Sequence, residues 1–156
     1  MSTECKICLA NSNEKRISPG VPIYENGDWV LEHAYPSSLK GWLVIVFKRH
    51  CERLDSLTKV EWRSLGDIQF FATKALSNSF KLEKEYVCCF AEMEGFKHIH
   101  FHVIPKPINC DLESVGVKAF RHIKPDAENI ISEDEVKEIC KNLKTEIEEI
   151  LRVSEA

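Results

Sequence analysis

The sequence predicts an α+β domain with a mainly antiparallel sheet. Two segments with helical spacing each open on a capping box, one in mid-chain and one near the C-terminus. Short segments with strand patterning run consecutively between and before them. Strands that follow one another, rather than alternating with helices, suit an antiparallel sheet.

Asp28 to Tyr35 alternates loosely and reads as the first strand. Trp42 to Phe47 is continuously apolar and bounded by Gly41 and Lys48-Arg49, as a strand buried on both faces would be. Thr58-Lys-Val-Glu61 is a capping box that opens a helix to about Phe80, with Val60, Leu65, Ile68 and Ala72 near one face. Tyr86 to Ala91 reads as a strand, and His98 to Ile104 as the next. In the latter, residues two apart share a face, so His98, His100 and His102 form a row while Ile99, Phe101 and Val103 face the core. Pro105 and Pro107 are expected to end it. Ser132-Glu-Asp-Glu135 is a second capping box, opening a helix to about Val153 with Val136, Ile139, Leu143, Ile147, Ile150 and Leu151 at helical spacing. No repeat or long linker appears.

A chain of 156 residues suits one domain and can bury a real core. Its net charge of −4 provides no basic field, which argues against broad nucleic-acid binding through phosphates. No stretch approaches the roughly 20 apolar residues of a membrane span. The polar start MSTECKICLANSNEKR lacks the apolar run of a signal peptide, so a cytoplasmic or nuclear location is expected. Seven cysteines, an odd number, argue against a disulfide framework. Cys88 and Cys89, in an apolar run, read as buried small hydrophobes.

Chemistry concentrates in two places. The histidine row is hard to explain by packing, and imidazole can serve as nucleophile, acid, base or metal ligand. Spacing alone leaves covalent catalysis and a metallohydrolase site, with the row as ligands, both open; Glu92 and Glu94 lie close by. Cys5-Lys-Ile-Cys8 has the spacing of a metal clip. The chain has no second such pair, so the missing ligands are expected to be histidines, with His50 and His98 leading. Gly95, just before the row, could let backbone N–H groups approach a phosphate. His33 and His122 have no evident partner, and Trp42 and Phe47 read as core.

His98-Ile-His-Phe-His-Val-Ile104 resembles the motif of the histidine triad (HIT) superfamily. Gly41-Trp-Leu-Val-Ile-Val-Phe-Lys-Arg-His50 resembles the strand of that family that ends in a basic pair and a histidine. The resemblance covers roughly Cys5 to Pro107. It implies a HIT-like fold: an antiparallel sheet of about five strands, a long helix after the second block and a C-terminal helix. It is read as a single domain over 1–156, with 1–20 as a zinc-clip segment and 108–156 as a C-terminal extension. It also implies a homodimer that binds nucleoside phosphates. His100 would be the nucleophile and form a nucleotidyl-histidine, with His102 donating to a phosphate oxygen. Cys5, Cys8, His50 and His98 would hold a structural zinc, as in the branch that resembles galactose-1-phosphate uridylyltransferase.

The chain departs from the family pattern around the nucleotide. Met93-Glu94-Gly95 stands where many members carry Gly-Gln-Ser/Thr. Ala34, with His33 beside it, stands where many have an acid for the ribose. Gly95, His102 and His33 are the expected nucleotide contacts. The expected activity is attack on the α-phosphorus of an adenosine nucleotide, either a dinucleoside polyphosphate or a nucleoside phosphoramidate. A nucleotide-binding regulatory module with little catalysis and a metallohydrolase are the alternatives.

Overall fold

The computed structural model describes residues 4–155; the ends of the expected clip and extension, 1–3 and 156, lie outside them. A short helix α1 (Lys6–Asn11) leads into β1 (Tyr24–Glu25), β2 (Trp29–His33) and β3 (Leu43–Phe47). Helix α2 (Lys59–Ser79) follows, then β4 (Leu82–Cys88), β5 (His100–Pro107) and α3 (Glu133–Ser154). The five strands form one antiparallel sheet in the order β1-β2-β3-β5-β4. The α+β class and the antiparallel sheet are those the helix and strand patterns predict, and the five strands are the number the resemblance implies. Among the described residues, no helix is long and apolar enough to cross a membrane.

One face of the sheet carries the main core. Trp29 and Leu31 of β2, Ile45 and Phe47 of β3, and Val103 of β5 pack there under α2 and α3. Helix α2 contributes Leu65, Ile68, Ala72 and Leu76, and α3 contributes Val136, Leu143 and Ile147. The apolar stripe of each helix is thus buried, while its charged face meets water. Thr58 caps α2 through the Glu61 N–H, and Glu61 reaches back to the Thr58 N–H at 2.7 Å. Ser132 caps α3 by accepting from the Glu135 N–H at 3.2 Å.

Several boundaries differ from the sequence expectation. Val60 is exposed, because it lies about 110° round the helix from the middle of the buried stripe. Strand β4 begins at Leu82, so its charged half Leu82–Glu85 was not legible as strand. It is an edge strand, where charge is tolerated, and Glu83 pairs with Lys106 at 2.7 Å. Cys88 and Cys89 are half-buried, since that strand covers one side only. Pro105 and Pro107 do not stop β5. Past Val103, β5 no longer has β3 beside it, so a residue without an N–H leaves no gap in a ladder on that side. The short β1 carried no pattern.

Ile68 is fully buried between α2 and the sheet, so Ile68→Ala is expected to cost about 2–5 kcal/mol in denaturant unfolding. Thr58→Ala, which removes only a cap, is expected to cost about 1 kcal/mol. Equal costs at the two positions would mean that α2 is not seated on the core.

Candidate functional site: a Cys/His cluster beside an imidazole-floored cavity

The expected row of three histidines is split. Strand β5 starts at His100, and a tight turn precedes it, with the His98 N–H donating to the Phe96 carbonyl at 2.8 Å. The turn removes His98 from the strand's alternation and points its ring toward α1. His98 is fully buried, and its Nε2–H donates to the Phe47 carbonyl at 2.7 Å. That leaves Nδ1 as a lone pair, 3.5 Å from Cys5 Sγ and 3.5 Å from Cys8 Sγ.

Helix α1 supplies the sulfurs. Cys5 is its N-cap residue, so Cys5 and Cys8 lie one turn apart on one side. His50, just past β3, brings Nδ1 to 3.4 Å from Cys8 Sγ, and its Nε2 lies 3.4 Å from Glu52. The four ligand atoms all lie within 4.8 Å of one another. A tetrahedral zinc with Zn–S of about 2.3 Å and Zn–N of about 2.0 Å sets sulfur and nitrogen about 3.5 Å apart, so this cluster could hold such an ion. Burial, then the neighbouring Cys5, pushes the Cys8 thiol up to about 11. Without a cation the Cys8 thiol therefore stays protonated at neutral pH. Among the described residues this is the cluster able to hold a metal, and His100 and His102 are not part of it.

His100 and His102 lie on the other face of the sheet from the main core. Across the strands, His102 sits opposite Val44, which sits opposite Glu32; His100 sits opposite Val46. These side chains floor a cavity of about 460 Å³. Ile7 and Ala10 of α1 form one wall, and Phe90, Phe96 and Phe120 contribute others. The His100 Nδ1–H donates to the His98 carbonyl at 2.7 Å, which leaves Nε2 as a free lone pair. The Trp42 indole N–H donates to His102 Nδ1 at 3.1 Å. Indole can only donate, so the proton of neutral His102 sits on Nε2. One imidazole thus offers a nucleophilic nitrogen and its neighbour an N–H. Burial lowers both below the ordinary imidazole value, and burial and then His100 bring His102 to about 4.

The remaining expected contacts sit differently. His33 borders the cavity but is 1% exposed, with Nδ1–H donating to the Ala34 carbonyl at 2.7 Å and Nε2 accepting the Gly41 N–H at 3.0 Å. Both ring nitrogens are engaged by backbone, so it offers no polar atom to a ligand. Gly95 is needed for close approach, at φ +80°, but what approaches is Lys6: a Cβ there would lie 3.2 Å from Lys6 Cε. Its carbonyl accepts the Lys6 N–H at 2.9 Å, and it is not among the cavity's lining residues. Of the two acids ahead of the row, Glu92 lines the cavity. His122 bridges Ser38 at 2.7 Å and Ser114 at 3.0 Å, away from this site.

Sequence reasoning missed three groups. Trp42 is core, as expected, but its N–H sets the His102 tautomer; a buried indole must place its N–H somewhere, and that was the available signal. Glu32, 8% exposed, meets Arg16 at 2.9 Å on the cavity floor. Its place in the strand, on the face of Val30 and opposite Val44, marked it. Ser18 borders the cavity, and its buried hydroxyl has no hydrogen-bond partner among the described residues, a cost of about 1–3 kcal/mol.

Comparisons with known proteins bear on the family and the fold. No curated protein matches the sequence. Residues 4–118 match the family described as "Scavenger mRNA decapping enzyme C-term binding". A zinc-bound histidine triad family protein from Mycobacterium smegmatis is 16% identical, with a TM-score of 0.70 over 98% of this chain and 99% of that one. A hypothetical histidine triad nucleotide-binding protein from Sulfolobus tokodaii is 15% identical, with a TM-score of 0.71 over 94% and 93%. A HIT-like protein involved in cell-cycle regulation from Bartonella henselae is 18% identical, with a TM-score of 0.67 over 88% and 92%. The chain belongs to the histidine triad superfamily, within the scavenger mRNA decapping enzyme C-terminal family.

Proposed function

We propose that the protein is a nucleotide hydrolase or nucleotidyl transferase that attacks the α-phosphorus of an adenosine nucleotide through His100. The observation that carries this is the pair of opposite tautomers on the cavity floor. The His98 carbonyl holds the His100 proton on Nδ1, and Trp42 holds the His102 proton on Nε2. In this reading His100 Nε2 forms a bond to phosphorus as the bond to the leaving group breaks. Water or another acceptor then cleaves the nucleotidyl-histidine. His102 Nε2–H donates to a phosphate oxygen, where charge must be stabilised. A dinucleoside polyphosphate or a nucleoside phosphoramidate is the substrate type, and the cytoplasm the expected location.

Cys5, Cys8, His50 and His98 are the proposed ligands of a structural zinc, which would pin α1 to the strand ends. The zinc-bound relative and the sulfur–nitrogen spacings support that assignment. A homodimer is part of the reading; the outer edge of β4, with Val87 exposed, is a strand edge open to pairing. The single-domain reading over 1–156 draws support from α3, which fills the same core as α2, so the extension 108–156 packs with the rest. A nucleotide-binding module with little catalysis is the second reading, favoured by Glu94 and Gly95 standing where the family carries a glutamine and a hydroxyl.

His100→Ala is expected to abolish turnover of diadenosine polyphosphates and adenosine phosphoramidates while the melting temperature stays near that of the wild type. Wild-type protein quenched with substrate should carry a nucleotidyl adduct on His100 by mass spectrometry. Retained turnover in the variant would sink the mechanism; tight nucleotide binding without turnover by the wild type would favour the binding module.

A strong chelator is expected to lower the melting temperature first, with activity lost only as the fold loosens. Immediate loss of activity at unchanged stability would point to metal in the chemistry instead. Stability should also depend on acid. His33 and His102 have folded values depressed by burial below about 6.5, the unfolded one, so the unfolded chain binds more protons at low pH. The stability they contribute is present above pH 6.5 and is lost as pH falls toward 4. Denaturant midpoints measured between pH 7 and 4 check this, and a midpoint that rises on acidification would contradict it.

A further inference from the structure

We propose that Glu32 recognises an N–H donor on the nucleobase and so sets base specificity. The inference rests on the nucleotide reading above and deepens it. Among the buried polar side chains, Ser18, Glu32 and His33 line the cavity. Both nitrogens of His33 are engaged by backbone, so it recognises nothing. Glu32 keeps acceptor capacity, because a carboxylate has about four lone-pair sites and Arg16 meets Oε1. Arg16 also donates to the Gly20 carbonyl at 3.0 Å, so the loop carrying Ser18 is fastened to Glu32 through one guanidinium. Ser18 on that loop is 3% exposed, and its hydroxyl is closed off from the cavity, which leaves Glu32 as the buried group able to accept from a ligand.

Position decides which part of a nucleotide these groups meet. Glu32 and His102 occupy one rung of the sheet with Val44 between them, two inter-strand steps or about 10 Å apart. With the α-phosphate at the imidazoles, that span covers a sugar and a base, not the sugar alone. The surface between is apolar, with Val44 and Val46 on the floor and Phe90 and Phe96 in the walls, which suits a flat heterocycle. A carboxylate accepts from an amino or ring N–H. Adenine presents such a donor in its 6-amino group.

The test compares binding of adenosine 5′-monophosphate with purine riboside 5′-monophosphate, which differs only in lacking the 6-amino group. Titration calorimetry on the wild type is expected to show a preference for the adenosine nucleotide of about tenfold or more. In Glu32→Ala that preference should fall to within about threefold. Glu32→Gln should lose it too: with its carbonyl held by Arg16, the amide presents a donor where an acceptor was. It serves as the decisive variant if the alanine variant does not fold, melting temperatures being measured for both. Equal affinity for the two nucleotides in the wild type, or a preference that survives in both variants, overturns the inference and leaves the nucleotide reading standing. If the wild type binds neither nucleotide, the nucleotide reading fails and the inference falls with it.

Discussion

Much of the site depends on how one buried residue, His98, divides its polar groups. Its Nε2–H is tied to the end of β3 through the Phe47 carbonyl. Its Nδ1 lone pair faces the two sulfurs of α1. Its own carbonyl accepts the Nδ1–H of His100. A fully buried imidazole needs partners for both nitrogens, and here meeting that need joins the sheet, the N-terminal helix and the cavity. The tautomer of His100 is therefore decided outside the cavity, by the residue that turns the chain into β5.

Helix α1 extends the same coupling. Cys5 and Cys8 meet His98 and His50, while Ile7 and Ala10 are buried and form a wall of the cavity. A helix of six residues has little stability of its own in water. It is held by tertiary contacts: the Lys6 N–H on the Gly95 carbonyl, and the Asn11 amide on the carbonyls of Phe47 and Lys48. A cation in the cysteine–histidine cluster would add ties from its two sulfurs to His50 and His98. The cluster and the cavity share this one helix, so they are a single mechanical unit.

The two faces of the sheet divide the work of folding and of chemistry. One is filled by α2 and α3 with well-packed apolar side chains. The other holds His100, His102 and Glu32 against a largely apolar cavity, where desolvation keeps both imidazoles neutral at pH 7. Neutrality is what a nitrogen nucleophile requires.

Periodicity was enough to read the helices, the central strands and the antiparallel class, because burying one apolar face is a local demand that each segment states for itself. The histidine motif and the Cys-x-x-Cys pair likewise named residues that the fold brings to the cavity floor and to the cysteine–histidine cluster. The edge strand β4 was half hidden, since an edge tolerates charge, and β5 outran its prolines because its neighbour ended first. Tertiary structure alone decided that His98 leaves the histidine row, that Gly95 meets Lys6, that His33 is engaged by backbone, and that Glu32 and Ser18 border the cavity. Each of these depends on which donor or acceptor a side chain finds across the sheet. Such partners are distant in sequence, and no local pattern encodes them.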